Sequence, residues 1–327
     1  MCVACADERA GVTRRGWLAG LAAVGTLAAT PVAAACFTPA DLAGTASERL
    51  RRRLRPGEAL APPVPAAPGP PLPPGLAGVI RRVELPPGAK LVALSFDLCQ
   101  TRGSVAGYDG AVVDYLRAQS VPATFFAGGQ WLATHRERSV QLAADPLFLV
   151  GNHSWTHHDL HFASATTVAN EILVTEAALA QTRERARVAC SERVAARAPR
   201  LFRFPYGSCA AAGTAAANMV GSVVIQWDVV SGDPDGTPAS VIVHNVFSHV
   251  RPGSIVVMHA NGRGTHTAEA LARIVPQLRA DGFAFVTVER LLASGRPVAA
   301  VDCFIEREGD TARYDRPAAF KAARALR

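Results

Sequence analysis

Apolar and polar positions along the chain fall into two alternating textures. Short, nearly continuous apolar runs occupy Leu91–Phe96, Ala123–Ala127, Phe148–Val150, Leu201–Phe204, Val223–Trp227, Ser254–Met258 and Phe283–Val288, and these read as strands. Longer stretches between them carry apolar residues at helical spacing: Asp109–Gln119, Gln130–Ala144, Ser164–Val188, an Ala-rich segment after Phe204, Ala239–Val250 and Thr267–Ala280. Strands that are apolar on both faces and joined by helical crossovers predict a parallel sheet covered by helices. About seven such units in one domain predict an α/β fold and an incomplete (β/α) barrel rather than an open sheet.

The ends of the chain have other textures. Arg14-Arg15 precede an apolar stretch, Leu18 to Ala29, and small residues at Ala33-Ala34-Ala35 offer a cleavage site. Residues 1–35 therefore read as a secretion signal of the twin-arginine type. The apolar stretch is short and rich in Ala and Gly for a membrane span. Lipidation at Cys36 is an alternative fate of the new N-terminus, although Ala33-Ala34-Ala35-Cys36 lacks the leading Leu such sites carry. Residues 36–87 are predicted as a linker, with the Pro-rich run Ala61–Pro74 as a spacer that cannot pack as a helix or central strand. The barrel is placed at 88–298 and a charged tail at 299–327. The expected location is periplasmic or secreted, with no membrane span in the mature chain.

Composition sharpens this picture in two respects. Hydrophobic residues make up 49% of the 327 and charged residues 19%, enough to bury a sizeable core. The formal charge is +7, but apart from Arg51-Arg52-Arg53 with Arg55 the arginines are dispersed and no aromatic residues interleave them, so nucleic acid is not an expected partner. Cleavage near residue 35 would remove Cys2 and Cys5 and leave Cys36, Cys99, Cys190, Cys209 and Cys303 in an oxidising compartment that permits disulfides.

In a parallel barrel the active site is built at the C-terminal ends of the strands. The unusual polar residues fall there: Asp97 after the first strand, His153-Ser154-Trp155-Thr156-His157 after the third, Arg203-Phe204-Pro205-Tyr206-Gly207 after the fourth, Asp228 and Asp233 after Trp227, and His259 after Met258. Each has an ordinary explanation, turn chemistry for Asp228 and Asp233 among them. Five clusters on one rim are harder to explain that way. His153 and His157 are four residues apart, which on a helical turn brings both imidazoles to one face.

Five segments in order resemble the polysaccharide deacetylases (carbohydrate esterase family 4, the chitooligosaccharide deacetylase homology domain) over roughly residues 88 to 295. Ser95-Phe96-Asp97 is similar to the first motif, Thr-Phe-Asp-Asp. His153 to His157 fits His-Ser/Thr-x-x-His, and Arg203 to Gly207 fits Arg-x-Pro-Tyr/Phe-Gly. Val230 to Asp233 stands where the family has Asp-x-x-Asp-Trp, and Val257-Met258-His259 where it has Leu-x-His.

The resemblance implies a deformed (β/α) barrel and metal-assisted removal of N-acetyl, or O-acetyl, groups from an acetylated polysaccharide or oligosaccharide. It implies Asp97 as general base, His153 and His157 as ligands of a divalent metal such as zinc, and His259 as general acid. Asp233 would orient His259, and Arg203 would keep Asp97 ionised. The Tyr206 backbone N–H would hold the oxyanion, with Trp227 as a further substrate-binding residue.

The pattern breaks at three positions. Leu98 replaces the carboxylate ligand of the first motif, Val230 the first Asp of the fourth, and Pro234 its Trp. With Leu98 in place, three outcomes stay open: Asp97 coordinates directly, another loop carboxylate such as Asp109 supplies the third ligand, or the metal is weak or absent. Cys99 and Cys209 follow the first and third motifs and are candidates for a disulfide. Cys190 with Cys303, or free thiols, are equally open, and soft metal ligation by Cys99 or Cys209 is a less favoured use. Two further readings keep the fold: a catalytically silent glycan-binding barrel, and metal-independent hydrolysis of small amides.

Overall fold

All seven predicted strands are present in the structure, a computed structural model that describes residues 36–55, 58, 60–190, 200–234, 236–304 and 307. The proposed signal at 1–35 and the tail from 308 lie outside the described residues. The strands are β1 (Arg52–Arg53), β2 (Val79–Glu84), β3 (Leu91–Leu98), β4 (Ser104–Val105), β5 (Ala123–Ala127), β6 (Phe148–Asn152), β7 (Leu201–Phe202), β8 (Val223–Ile225), β9 (Val229–Val230), β10 (Ile255–His259), β11 (Ala284–Phe285) and β12 (Arg296–Ala300). The helices are α1 (Pro39–Leu42), α2 (Gly110–Ala118), α3 (Gly129–Thr134), α4 (Arg136–Ala144), α5 (Ala165–Ala189), α6 (Ala211–Met219), α7 (Ala239–His249), α8 (Thr267–Ala280) and α9 (Val288–Leu292).

The main sheet runs β12-β2-β8-β7-β6-β5-β3-β10-β9, with β11 added against the start of β3. From β2 to β9 every pairing is parallel, and β12 lies antiparallel to β2. β8 and β9 are separated only by Gln226–Asp228, so the chain leaves the sheet beside β7 and re-enters it beside β10. The sheet therefore curls into the deformed (β/α) barrel expected from the sequence.

Strand β3 shows how the sequence builds both layers. Successive side chains on a strand point to opposite faces. Leu94, Phe96 and Leu98 pack outward in one apolar cluster with Val112, Leu116, Trp131 and Leu278 of the helices. Ala93 packs inward, clustered with Phe126, Ile225 and Val257. Each large side chain buried in this way contributes roughly 1.5–3 kcal/mol relative to an exposed one.

The fold extends beyond both expected boundaries. Within the linker predicted at 36–87, Val79–Glu84 is strand β2, inside the sheet between β12 and β8. Its apolar run is broken by Arg81-Arg82, which hid it. Arg81 is nonetheless buried, donates to Asp302 Oδ1 at 2.7 Å and lies over the Phe304 ring. The Pro-rich run is also laid against the barrel rather than held away from it: Ala66 N–H donates to Leu173 O, Gly69 N–H to Val220 O, and Arg200 to Ala67 O. Upstream, Arg138 binds the Glu48 carboxylate with two nitrogens, at 2.7 and 2.9 Å, and β1 pairs with β4. At the other end, Ala299 and Ala300 lie in β12 and both Cys303 and Phe304 are buried, so the core continues into the segment taken as the tail.

The cysteine pairing also differs from expectation. Cys36 is bonded to Cys190 and Cys209 to Cys303, with Cα atoms 5.1 and 5.6 Å apart, while Cys99 is unpaired and buried. Cys209 turns into an apolar cluster with Phe204 and Ala217, where the returning C-terminal segment delivers Cys303. The Cys36 sulfur, committed to Cys190, is not available for a lipid. Among the described residues no helix is long and apolar enough to cross a membrane.

Candidate active site

The C-terminal ends of β3, β6, β8–β9 and β10 and the turn after β7 surround a cavity of about 220 Å³. Asp97, His153, His157, Tyr206, Trp227, Asp233 and His259 all line it. The cavity shares His157, Tyr206, Pro234 and His259 with a wider cleft of about 1190 Å³. Asp228 does not join this group. It accepts from Ile255 N–H and Ser254 Oγ at the opposite end of β10, so it ties strands together rather than forming part of the site.

Asp97 is inward-facing on β3 and buried. Arg203, with no exposed surface, donates from Nη1 to Asp97 Oδ1 at 2.8 Å and from Nη2 to Ser95 Oγ at 2.9 Å. The guanidinium lies 4.0 Å from the Phe126 ring centroid and also bonds Ile225 O and Gln226 O. A buried charge needs this number of partners. Burial alone would raise the Asp97 pKa; Arg203, with His153 and His259, outweighs it and holds the carboxyl below its ordinary range.

His153 and His157 are brought together differently from the expected helical turn. Residues 153–157 form an irregular turn with left-handed backbone at Ser154 (φ 64°) and His157 (φ 52°). Glu171 on α5 holds this turn by accepting from Trp155 N–H, Thr156 N–H and Thr156 Oγ. The imidazole centroids end 4.8 Å apart. His153 Nδ1 donates to Arg203 O at 2.9 Å, which leaves Nε2 unprotonated and available as a ligand. Burial, ahead of the opposing attraction of Asp97, pushes the His153 pKa down and so favours this neutral form. His157 is buried, and neither of its ring nitrogens has a hydrogen-bond partner. Such an orphaned pair in a buried imidazole fits a side chain awaiting a metal.

On the other side, His259 Nδ1 meets Asp233 Oδ1 at 2.9 Å. Asp233 is fully buried and also accepts from His259 N–H, Thr267 Oγ1 and Ser231 Oγ. Burial would lower the His259 pKa, but the Asp233 charge and hydrogen bond raise it well above the usual imidazole value. A carboxylate and an imidazole with opposite protonation at neutral pH thus face one cavity.

The turn after β7 is held by shape. Tyr206 and Gly207 are both left-handed at φ 62°. A Cβ on Gly207 would lie 2.6 Å from Phe304 O and 2.8 Å from the Trp227 ring, so only glycine fits. The Tyr206 ring stands edge-on to His157 at 4.7 Å, and its hydroxyl donates to His157 O. Trp227 is buried behind it.

Cys99, expected first as a disulfide partner of Cys209 and only secondarily as a metal ligand, is unpaired and lines the cavity. Among the described residues two groups bring at least three ligand atoms within 4.8 Å of one another: Cys99 with His153 and His157, and Cys99 with Asp97 and His259. Asp109, considered as a substitute ligand, is in neither; it stands at the N-cap of α2. The signal for Cys99 was its place two residues after Asp97: continued one residue past the end of β3, the alternation that turns Asp97 inward turns Cys99 inward as well. Burial pushes the Cys99 thiol up, but His157 and His259 bring it down to about 7.

Comparison with known proteins places the fold and the family. A polysaccharide deacetylase family profile matches residues 84–225. A peptidoglycan-N-acetylglucosamine deacetylase of Bacillus cereus is 29% identical over 207 residues, 63% of this chain and 69% of that protein. A chitooligosaccharide deacetylase of Bradyrhizobium is 30% identical over 185 residues, 53% of this chain and 78% of that protein. The crystal structure of a peptidoglycan N-acetylglucosamine deacetylase bound to an N-oxidanyl-benzamide superposes with a TM-score of 0.56 at 25% identity, covering 67% of this chain and 95% of that one. With its barrel, its ordered motifs and these relatives, named as deacetylases of N-acetylated glycans and so hydrolases of amide C–N bonds outside peptides, the chain belongs to the polysaccharide deacetylase family, carbohydrate esterase family 4.

Proposed function

We propose that this chain is an exported, metal-assisted hydrolase that removes N-acetyl, or O-acetyl, groups from a polysaccharide or oligosaccharide. The observation that carries the reading is the meeting of two oppositely tuned pairs, Asp97–Arg203 and His259–Asp233, beside His153 and His157 in one cavity. The wider cleft gives a polymer room to lie across the mouth of that cavity.

Asp97, kept ionised by Arg203, is the general base that takes a proton from the attacking water. His259, kept protonated by Asp233, is the general acid that delivers a proton to the leaving amine. The Tyr206 backbone N–H, in its left-handed turn, donates to the developing oxyanion; loss of one such donor costs roughly 10²–10³ in rate. Trp227 forms an apolar wall for the acetyl group. His153 and His157 would hold a divalent ion such as zinc, whose chemistry when bound is to polarise the acetyl carbonyl and acidify the attacking water.

Export is supported by the arginine pair and apolar stretch of residues 1–35, and by two disulfides among the described residues, which suit an oxidising compartment. The silent glycan-binding reading rests on one observation, Leu98 in place of a ligand carboxylate. Retention of both proton-transfer pairs argues against it, and the orphaned His157 argues against a metal-independent amidase.

Acetate release from chitin oligomers, peptidoglycan and acetylated exopolysaccharides, measured before and after chelation, tests the proposal. The expected result is release from at least one glycan, lost on chelation and restored by metal. Binding without release from any of them overturns it in favour of the silent barrel, and release indifferent to chelator overturns the metal-assisted step.

A further inference from the structure

We propose that Cys99 is the third protein ligand of the metal, its thiolate standing in for the carboxylate that Leu98 replaces. Strand alternation decides which residue can do this. Ser95 and Asp97 lie on the inward face of β3, and Cys99, the residue immediately after the strand, lines the same cavity as Asp97, while Leu98 points outward into the apolar layer under the helices. The ligand has moved one residue along the chain, to the next inward position.

The distances fit a small tetrahedral site. With Zn–S near 2.3 Å and Zn–N near 2.0–2.1 Å, sulfur and nitrogen ligands stand about 3.5 Å apart. Cys99 Sγ and His153 Nε2 are 3.5 Å apart. The His157 ring, 3% exposed with both nitrogens unpartnered, completes a trio within 4.8 Å. Asp97 Oδ1 is held by Arg203 and its Oδ2 stands 3.6 Å from His153 Nε2, but among the described residues it is Cys99, not Asp97, that groups with both His153 and His157; His259 is engaged by Asp233.

The thiol is also held for this use. The other described cysteines are paired with each other, so Cys99 serves no cross-link. Asn261 Nδ2 donates to Cys99 O at 3.0 Å, and the adjacent Gln100 side chain is fixed by Gln130 O, Ala106 N–H and Thr134 Oγ1. A ligand set of one thiolate and two imidazoles suits zinc or cobalt and disfavours magnesium or calcium.

The inference rests on the metal-assisted reading, but its test reads the ligand rather than turnover. The chain from residue 36 onward is stripped of metal and titrated with Co(II). Wild type is expected to bind one equivalent and show a thiolate-to-cobalt charge-transfer band in the near ultraviolet. Cys99→Ser is expected to lose the band and bind at least ten- to a hundredfold more weakly, and Cys99→Asp to bind cobalt without the band. X-ray absorption of the wild-type zinc protein, expected to show one sulfur neighbour at about 2.3 Å, needs no variant to fold. Cobalt bound by wild type without the band, no cobalt bound at all, or a zinc shell of nitrogen and oxygen alone overturns the assignment. Acetate release without the band overturns it and leaves the deacetylase reading standing; the band without acetate release does the reverse.

Discussion

Leu98 is fully buried among Leu94, Phe96 and the helix side chains, so introducing a carboxylate there does not rebuild the missing ligand. Leu98→Asp is expected to destabilise the fold by about 3 kcal/mol or more, as an unpaired buried carboxyl does, and to leave metal content unimproved; denaturant melts with metal analysis check both. The pairing of His259 with Asp233 sets the pH response. The folded-state pKa of His259 is raised, so this contribution to stability is complete below the ordinary imidazole value of 6.5 and is lost as pH rises through the raised value. For activity, Asp97 must be ionised and His259 protonated, which gives a bell with its acid limb from Asp97 and its alkaline limb from His259. Asp233→Asn removes what raises His259, so the alkaline limb moves to lower pH. A kcat/KM profile should show a loss of tenfold or more at pH 8 and a smaller loss at pH 6.

The elements supply the geometry those residues need. Glu171, a residue of α5 and not of the cavity wall, fastens the His153–His157 turn through three hydrogen bonds. Glu171→Ala leaves two buried backbone N–H groups unpaired and frees the turn; metal affinity is expected to fall roughly ten- to a hundredfold, read by competition with a chelator. The candidate site was largely legible because its residues lie in local motifs at strand ends: Asp97, His153, His157, Arg203, Tyr206, Asp233 and His259 could each be named from the family resemblance, and all but Arg203, which reaches the cavity through Asp97, line one cavity. Spacing did not reveal the conformation. The i, i+4 histidines suggested a helix, whereas their approach depends on two left-handed residues and on Glu171, contributed from α5. Cys99 ranked low as a ligand for a related reason, since a disulfide with Cys209 was the simpler use of its sulfur and the inward alternation of β3 carries on to the residue just past its end.

At the scale of the whole molecule, the seven apolar runs gave the barrel, while the pieces missed were those whose partners are remote in sequence. Strand β2 hides behind paired arginines neutralised by residues such as Asp302 and Glu84, and the described parts of the segment before Pro74 show no apolar period because they are tied on by backbone hydrogen bonds, the Glu48–Arg138 pair, a disulfide and isolated apolar side chains such as Leu42, Leu60 and Leu72. The Cys209–Cys303 bond closes a sequence separation of 94 residues, for which chain entropy gives about 4–5 kcal/mol. Reduction should therefore lower the thermal midpoint by several degrees, and a chain begun at residue 36, denatured without reductant, should titrate a single thiol, Cys99. The central claim is that Asp97 moves the proton of the attacking water. The rate of acetate release from an acetylated glycan, compared between wild type and Asp97→Asn at equal folded, metal-loaded concentration, tests it most directly. A fall of roughly 10²- to 10⁴-fold is predicted; equal rates in the two proteins contradict the account.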